Sequence, residues 1–157
     1  MKNELKQELT RRLCACNNGG LVLVMYDIYF GFSEDVKAAL ASNDRAALKK
    51  AVADVQAALD ELIGALDFKY PLAGQLYPLY SYCKRLFSTV LYSLDVSVVD
   101  EADVIMKKLR ISFETAAADD KSAPLMDNAQ KVYAGMTYGK GRLTESFIND
   151  DNRGFLA

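Results

Sequence analysis

Between positions 21 and 32 the chain reads LVLVMYDIYFGF, a run in which Asp27 is the only formal charge. On a helix, Leu21, Met25, Ile28, Phe32 and Val36 recur three or four residues apart and make one apolar stripe. Val22, Tyr26, Tyr29 and Phe30 then fall on other faces. A helix apolar over so much of its circumference has to be covered on more than one side. One side is expected to face the chain's own core and the second to face a partner.

The remaining chain supplies the helices against which this one can pack. Residues 2–13, KNELKQELTRRL, place Leu5, Leu9 and Leu13 four apart, a short amphipathic helix that Asn17-Asn18-Gly19-Gly20 should end. The apolar helix then runs over about 20–41 and stops at Ser42-Asn43-Asp44, residues that suit the start of another helix. Over about 44–67, Leu48, Val52, Val55, Leu59, Leu62 and Leu66 form a seam with alternating spacings of four and three. Over about 71–95 the seam is Leu72, Leu76, Leu79, Cys83, Leu86, Val90 and Leu94, with Pro78 expected to kink the helix or delay its regular start. Over about 97–118 it is Val98, Ala102, Ile105, Leu109, Phe113 and Ala116. Four helices of similar length with short connections require antiparallel neighbours. The predicted fold is all-α, an antiparallel up-down four-helix bundle over 20–118 within a single domain spanning 1–157. Beyond 119 a short helix at 124–134 and a strap-like tail are expected. The tail lacks a helical period yet carries Met136, Tyr138, Leu143 and Phe147.

Charge and residue usage remove most kinds of chemistry. With 19 basic and 21 acidic side chains and no basic run, nothing points to nucleic acid or an anionic membrane. The apolar run at 21–32 is too short to span a bilayer and lacks the flanks of a signal peptide. A cytoplasmic protein is therefore expected. There is no histidine, hence no His-based triad and not the commonest metal ligand. Cys14, Cys16 and Cys83 fall one ligand short of a zinc site and read as buried or idle thiols, so no metal and no cofactor is expected. Gly135-x-x-x-Gly139-Lys140-Gly141-Arg142 lacks both the ending of a phosphate loop and a preceding strand. Asp27 is best explained by a hydrogen bond to a tyrosine or by pairing with a basic side chain. No catalytic constellation emerges, and the chain reads as a binding module for an apolar peptide segment.

Three stretches resemble the flagellar export chaperone family FliS, the flagellin-specific chaperones. LVLVMYDIYFGFSEDVKAAL at 21–40 is similar to the family's leucine-rich helix, with Met25-Tyr26-Asp27 at its centre. The heptad helix at 44–66 is the second, and LYPLYSYCKRLFSTVL at 76–91 the third. The last aligns Leu76, Leu79, Tyr80, Tyr82 and, one position early, Arg85-Leu86. The resemblance covers about 20–118. It implies that the chain binds the disordered C-terminal segment of flagellin, prevents premature polymerisation and delivers the subunit to the export apparatus.

Two departures from the family pattern accompany it: residues 2–16 look helical and lack the usual tyrosine of an N-terminal strap, and the C-terminal extension is longer. The tail residues Met136, Tyr138, Leu143 and Phe147 are expected to occupy the groove when the client is absent. Val22, Met25, Tyr26, Tyr29, Tyr80 and Tyr82, apolar yet surplus to the seams, are the expected groove residues. Two other readings stand beside this one. The chain is a paralogue of the same fold that binds another protein or fills its own groove, or it is an unrelated bundle whose apolar faces form a homodimer.

Overall fold

Five helices follow one another in a computed structural model that describes residues 3–125: α1 (Asn3–Ala15), α2 (Asn18–Ala41), α3 (Arg45–Gly64), α4 (Pro71–Ser93) and α5 (Val96–Ala118). No strand occurs among the described residues. The expected helix at 124–134 and the tail positions Met136, Tyr138, Leu143 and Phe147 lie outside the described residues. Contacts join α2 to α3, α3 to α4, α4 to α5 and α5 back to α2, closing the up-down four-helix bundle; α1 packs on α2.

Local chemistry sets the boundaries. Asn17 caps α2 by accepting from the Gly20 amide at 2.9 Å. Asp44 caps α3 by accepting from the amides of Ala46 and Ala47, each at 3.0 Å. Asp95 caps α5 through the Ser97 amide at 2.8 Å. These are amides that a helix start would otherwise leave unpaired. α3 ends three residues short of the expected 67. The Asp67 carboxylate turns the chain by accepting from the Lys69 amide at 3.0 Å, and Tyr70 is extended (φ −99°, ψ 132°) as a residue before proline must be. Pro71 then opens α4 in the first turn, where its missing N–H is no loss. Pro78 lies within α4 without delaying its start.

The α3 seam is as read from the sequence. Leu48, Val52, Val55, Leu59 and Leu62 are buried and Leu66 is half-buried. On α4 the buried set is Ala73, Leu76, Tyr80, Cys83, Phe87 and Val90. The seam is therefore rotated from the expected one, and Leu72, Leu79 and Leu94 are exposed. On α5 the same rotation buries Val99, Ala102 and Met106 and leaves Ala116 exposed. The largest correction concerns α2. Of its expected stripe only Val36 is fully buried, while Tyr26, Tyr29, Ser33 and Val36 form the face inside the bundle. The physical reason is that α2 is flanked by α1, α3 and α5, so hydropathy cannot single out one buried side.

Asp27 fastens this arrangement. Its two carboxylate oxygens accept from Arg12 of α1 at 2.7 Å and from Arg110 of α5 at 2.8 Å. The pairing with basic side chains anticipated for it is what the structure contains. The bond to Asp27 raises the pKa of Arg110 above the ordinary guanidinium value. Where α2 begins, it comes so close to the end of α5 that a Cβ on Gly19 would lie 3.0 Å from the Ala117 Cβ; only glycine fits this approach without a shift.

Replacing Asp27 with Asn removes the charge that both arginines share. The expected result is several-fold faster amide exchange within α1 and unchanged protection in α3 and α4, read by hydrogen exchange and mass spectrometry. Unchanged exchange in α1 would mean that apolar packing of Leu9 and Cys14, both buried, suffices to hold it.

Candidate functional site

At the end of the bundle where α2 and α4 begin and α3 and α5 finish, the helices leave an apolar cleft of about 270 Å3. Val22 and Met25 come from α2, Leu62 and Leu66 from α3 and the turn after it, Leu76 and Tyr80 from α4, and Phe113 from α5. Asp67 is the only ionisable group in this wall besides the tyrosines Tyr70 and Tyr80. The loop between α3 and α4 forms the rim. Tyr70 is 67% exposed and Leu72 53%. Just beyond them Phe68, 63% exposed, stands edge-on to Tyr77 with ring centroids 5.9 Å apart. Apolar side chains are thus gathered at the surface around a cleft with an apolar floor.

The expected groove residues divide between this cleft and the interior. Val22, Met25 and Tyr80 line the cleft together. Tyr26 and Tyr29 are fully buried and Tyr80 is 1% exposed, which corrects the expectation that these tyrosines are surplus to the core. Burial demands a partner for each hydroxyl. Tyr26 and Tyr80 meet each other at 2.7 Å. Tyr29 donates to the Asp103 carboxylate at 3.0 Å. Tyr82 lies elsewhere, on the α4–α5 face, donating to Glu101 at 2.5 Å with the Arg85 guanidinium 5.5 Å from its ring centre. Leu66, Tyr70, Leu72, Leu76 and Phe113 were not singled out as site residues. The signal available for them was a loop, DFKYPL, with two aromatics and a leucine where polar turn residues are usual.

A second cleft, about 630 Å3, separates α1 from α2. Leu5, Leu9, Phe30 and Ala38 share its wall with Glu8, Asp27, Glu34, Asp35 and Arg12. Its lining is far more charged than that of the first. Among the described residues no helix is long and apolar enough to cross a membrane.

Comparison with known families decides what kind of protein presents this cleft. The family model described as flagellar protein FliS matches residues 1–120. The chain belongs to the FliS family. The match takes in α1 as well as the bundle, and so reaches further toward the N-terminus than the 20–118 that carries the sequence resemblance. No curated protein matches the chain. FliS proteins are chaperones of flagellar assembly and export, a family of chaperones rather than of enzymes.

The titrating groups between the helices of this FliS bundle give it a predictable response to alkali. Burial raises the pKa of Tyr26, Tyr29 and Tyr80, with the neighbouring Tyr80 adding to the effect on Tyr26 and Asp103 adding to that on Tyr29. Burial likewise pushes the Cys83 thiol up to about 12. For Lys37 burial acts downward, but hydrogen bonds to Asp100 and Asp103 outweigh it and the ammonium is held above its usual value. Each of these groups favours its protonated form in the fold. The stability that results is complete below the unfolded values, near pH 10 for tyrosine, and is lost as the pH rises beyond them. Helix content should therefore hold to about pH 9 and then fall cooperatively. The phenolate absorbance of the three buried tyrosines should appear together with that loss. Their ionisation while the helices remain intact would contradict the buried arrangement.

Proposed function

We propose that this FliS protein is a cytoplasmic export chaperone that holds the disordered C-terminal segment of flagellin, prevents its premature polymerisation and passes it to the export apparatus. The observation that supports this reading most directly is the bundle-end cleft with its exposed aromatic rim. An apolar cavity of about 150 Å3 is enough to hold benzene, so a cleft of about 270 Å3 takes about two large side chains. Burying one such side chain contributes about 1.5–3 kcal/mol, while ordering a disordered segment costs about 2–5 kcal/mol or more. Anchoring in the cleft offsets the ordering cost without leaving much surplus. Further contacts are required, and the Phe68–Tyr77 pair outside the rim is placed to provide them.

Leu72 is the position at which this reading is best tested. It lines the cleft, is 53% exposed and sits in the first turn of α4, where a carboxylate suits the helix dipole. Leu72→Asp should fold normally. In calorimetric titration with a peptide of the host's flagellin C-terminal segment, wild-type protein should bind, and Leu72→Asp should bind on the order of tenfold more weakly. Val104→Glu, on the outer face of α5 away from the cleft, should bind like the wild type. Failure of the wild-type chain to bind this peptide would move the assignment to a FliS-like paralogue with another client. Equal binding by wild type and Leu72→Asp would remove the cleft from the site.

A further inference from the structure

α1 stands outside the bundle. Among the described helices it packs only on α2. It runs back along α2, so that Arg12 meets Asp27 at 2.7 Å while Leu5, near the start of α1, shares a cleft with Ala38, near the end of α2. This cleft of about 630 Å3 is left open by what α2 places there. Gly31 has no side chain, and Ala38, seven positions on along the same face, has only a methyl. Neither reaches across to α1. Leu9 is buried in the wall, Phe30 is half-buried and Leu5 is 39% exposed. The wall thus offers hydrocarbon that the described chain leaves partly uncovered. None of its residues belongs to the wall of the bundle-end cleft.

Charge decides what can cover it. Glu8, Asp27, Glu34 and Asp35 share the wall with a single basic side chain, Arg12. Arg12 and Arg110 both bind Asp27, and Arg11 holds Glu8 at 2.8 Å. Lys37 lies 3.7 Å from Glu34, but its ammonium donates to Asp100 and Asp103 of α5 at 2.9 and 2.8 Å. The Glu34 side chain, 74% exposed, therefore stands in the wall with a long ionic contact only. A segment with apolar side chains alone would take water from this carboxylate and give no partner in return. An acidic segment, a nucleic acid or an anionic membrane would be repelled. A lysine or arginine pairs with it and lays its methylene stem along the apolar wall. We infer that the cleft between α1 and α2 is a second docking surface, and that it takes a basic amphipathic segment of another protein. Apolar side chains of that segment pack against Leu5, Leu9 and Phe30, and a lysine or arginine beside them meets Glu34. On the scale at which about 150 Å3 holds benzene, the cleft admits about four large side chains. The inference does not rest on the identity of the client at the bundle end.

The probe is a short amphipathic helical peptide of leucine and lysine, with a counterpart that carries glutamate for every lysine. Each is titrated into the full-length chain, with the NMR signals of Leu5 and Phe30 reporting on this cleft and those of Val22 and Met25 on the bundle end. Glu34→Gln removes the charge from an exposed position. Thr89→Lys, exposed on α4 and diagonally across the bundle from α2, raises the net charge of the chain by the same amount. The lysine peptide should bind the wild type and shift Leu5 and Phe30. It should bind Glu34→Gln on the order of fivefold more weakly and Thr89→Lys like the wild type. The glutamate peptide should leave Leu5 and Phe30 unshifted. A lysine peptide that shifts neither residue would overturn the inference. So would equal affinities for Glu34→Gln and Thr89→Lys, since Glu34 would then have no part in the contact. Equal shifts with both peptides would sink it as well, because hydrocarbon alone would then decide the binding.

Discussion

α2 is flanked by three other helices, and every polar group that it buries must be matched from across an interface. Its sequence answers with a column of polar groups one turn apart. Tyr29 and Ser33 donate to Asp103 of α5 at 3.0 and 2.7 Å, and Lys37 approaches the same carboxylate at 2.8 Å while also reaching Asp100. Asp27, further toward the N-terminus, binds Arg110 of α5 and Arg12 of α1. One carboxylate on each helix thus gathers donors from the other. An unpaired carboxylate at either place would be costly to bury, so the register of α2 against α5 is set by charge as well as by shape. The apolar core can then be nearly featureless without losing its alignment, because a slide by one turn would separate both carboxylates from their partners.

That register also explains why the cleft lies where it does. α2 and α5 are drawn together at Gly19 and Ala117, while α3 stops at Gly64 and the chain takes an Asp67-centred turn before Pro71. At this end the α3–α4 side of the bundle closes with a loop rather than with helix. Leu66 and Leu72 are carried to the lip of the gap, and Met25 and Phe113 are covered on one side only. The cleft is a consequence of helix ends that do not meet. Filling it needs an added segment, not a rearrangement of the core.

How much of this was legible in the sequence depends on how many neighbours each helix has. α3 touches α2 and α4, and its leucine and valine seam could be read directly. α4 was read one step out of phase for a definable reason. The positions Leu76, Cys83 and Val90 belong to a repeat that either Leu72, Leu79 and Leu86 or Ala73, Tyr80 and Phe87 can complete. Hydropathy prefers the leucines. Packing took the aromatics, because Tyr80 meets the Tyr26 hydroxyl and Phe87 stands edge-on to Tyr29 at 5.9 Å, contacts between residues far apart in the chain. For the same reason the tyrosines of α2 were misjudged as surplus. A tyrosine's body is as apolar as its tip is polar, and whether the tip finds a partner is decided by another helix. Asp27 could be read as a paired charge, although nothing local named Arg12 and Arg110 as its partners.

The exposed leucines of α4 then acquire a different meaning. Leu72 and Leu79 sit where a seam would place them and yet are exposed, and Leu72 lines the cleft together with the loop aromatic Tyr70. Positions where a consistent apolar pattern and the observed burial disagree are where function is expected to have overruled stability. The core does not need these side chains, since Tyr80, Phe87 and the α3 seam already fill it. The surface is not improved by them either, since exposed aromatics and leucines around a cleft invite aggregation. A chain that keeps them at that cost has another use for them. The FliS family match extends through α1 and the whole bundle, so the chain that keeps these side chains exposed belongs to a family of chaperones.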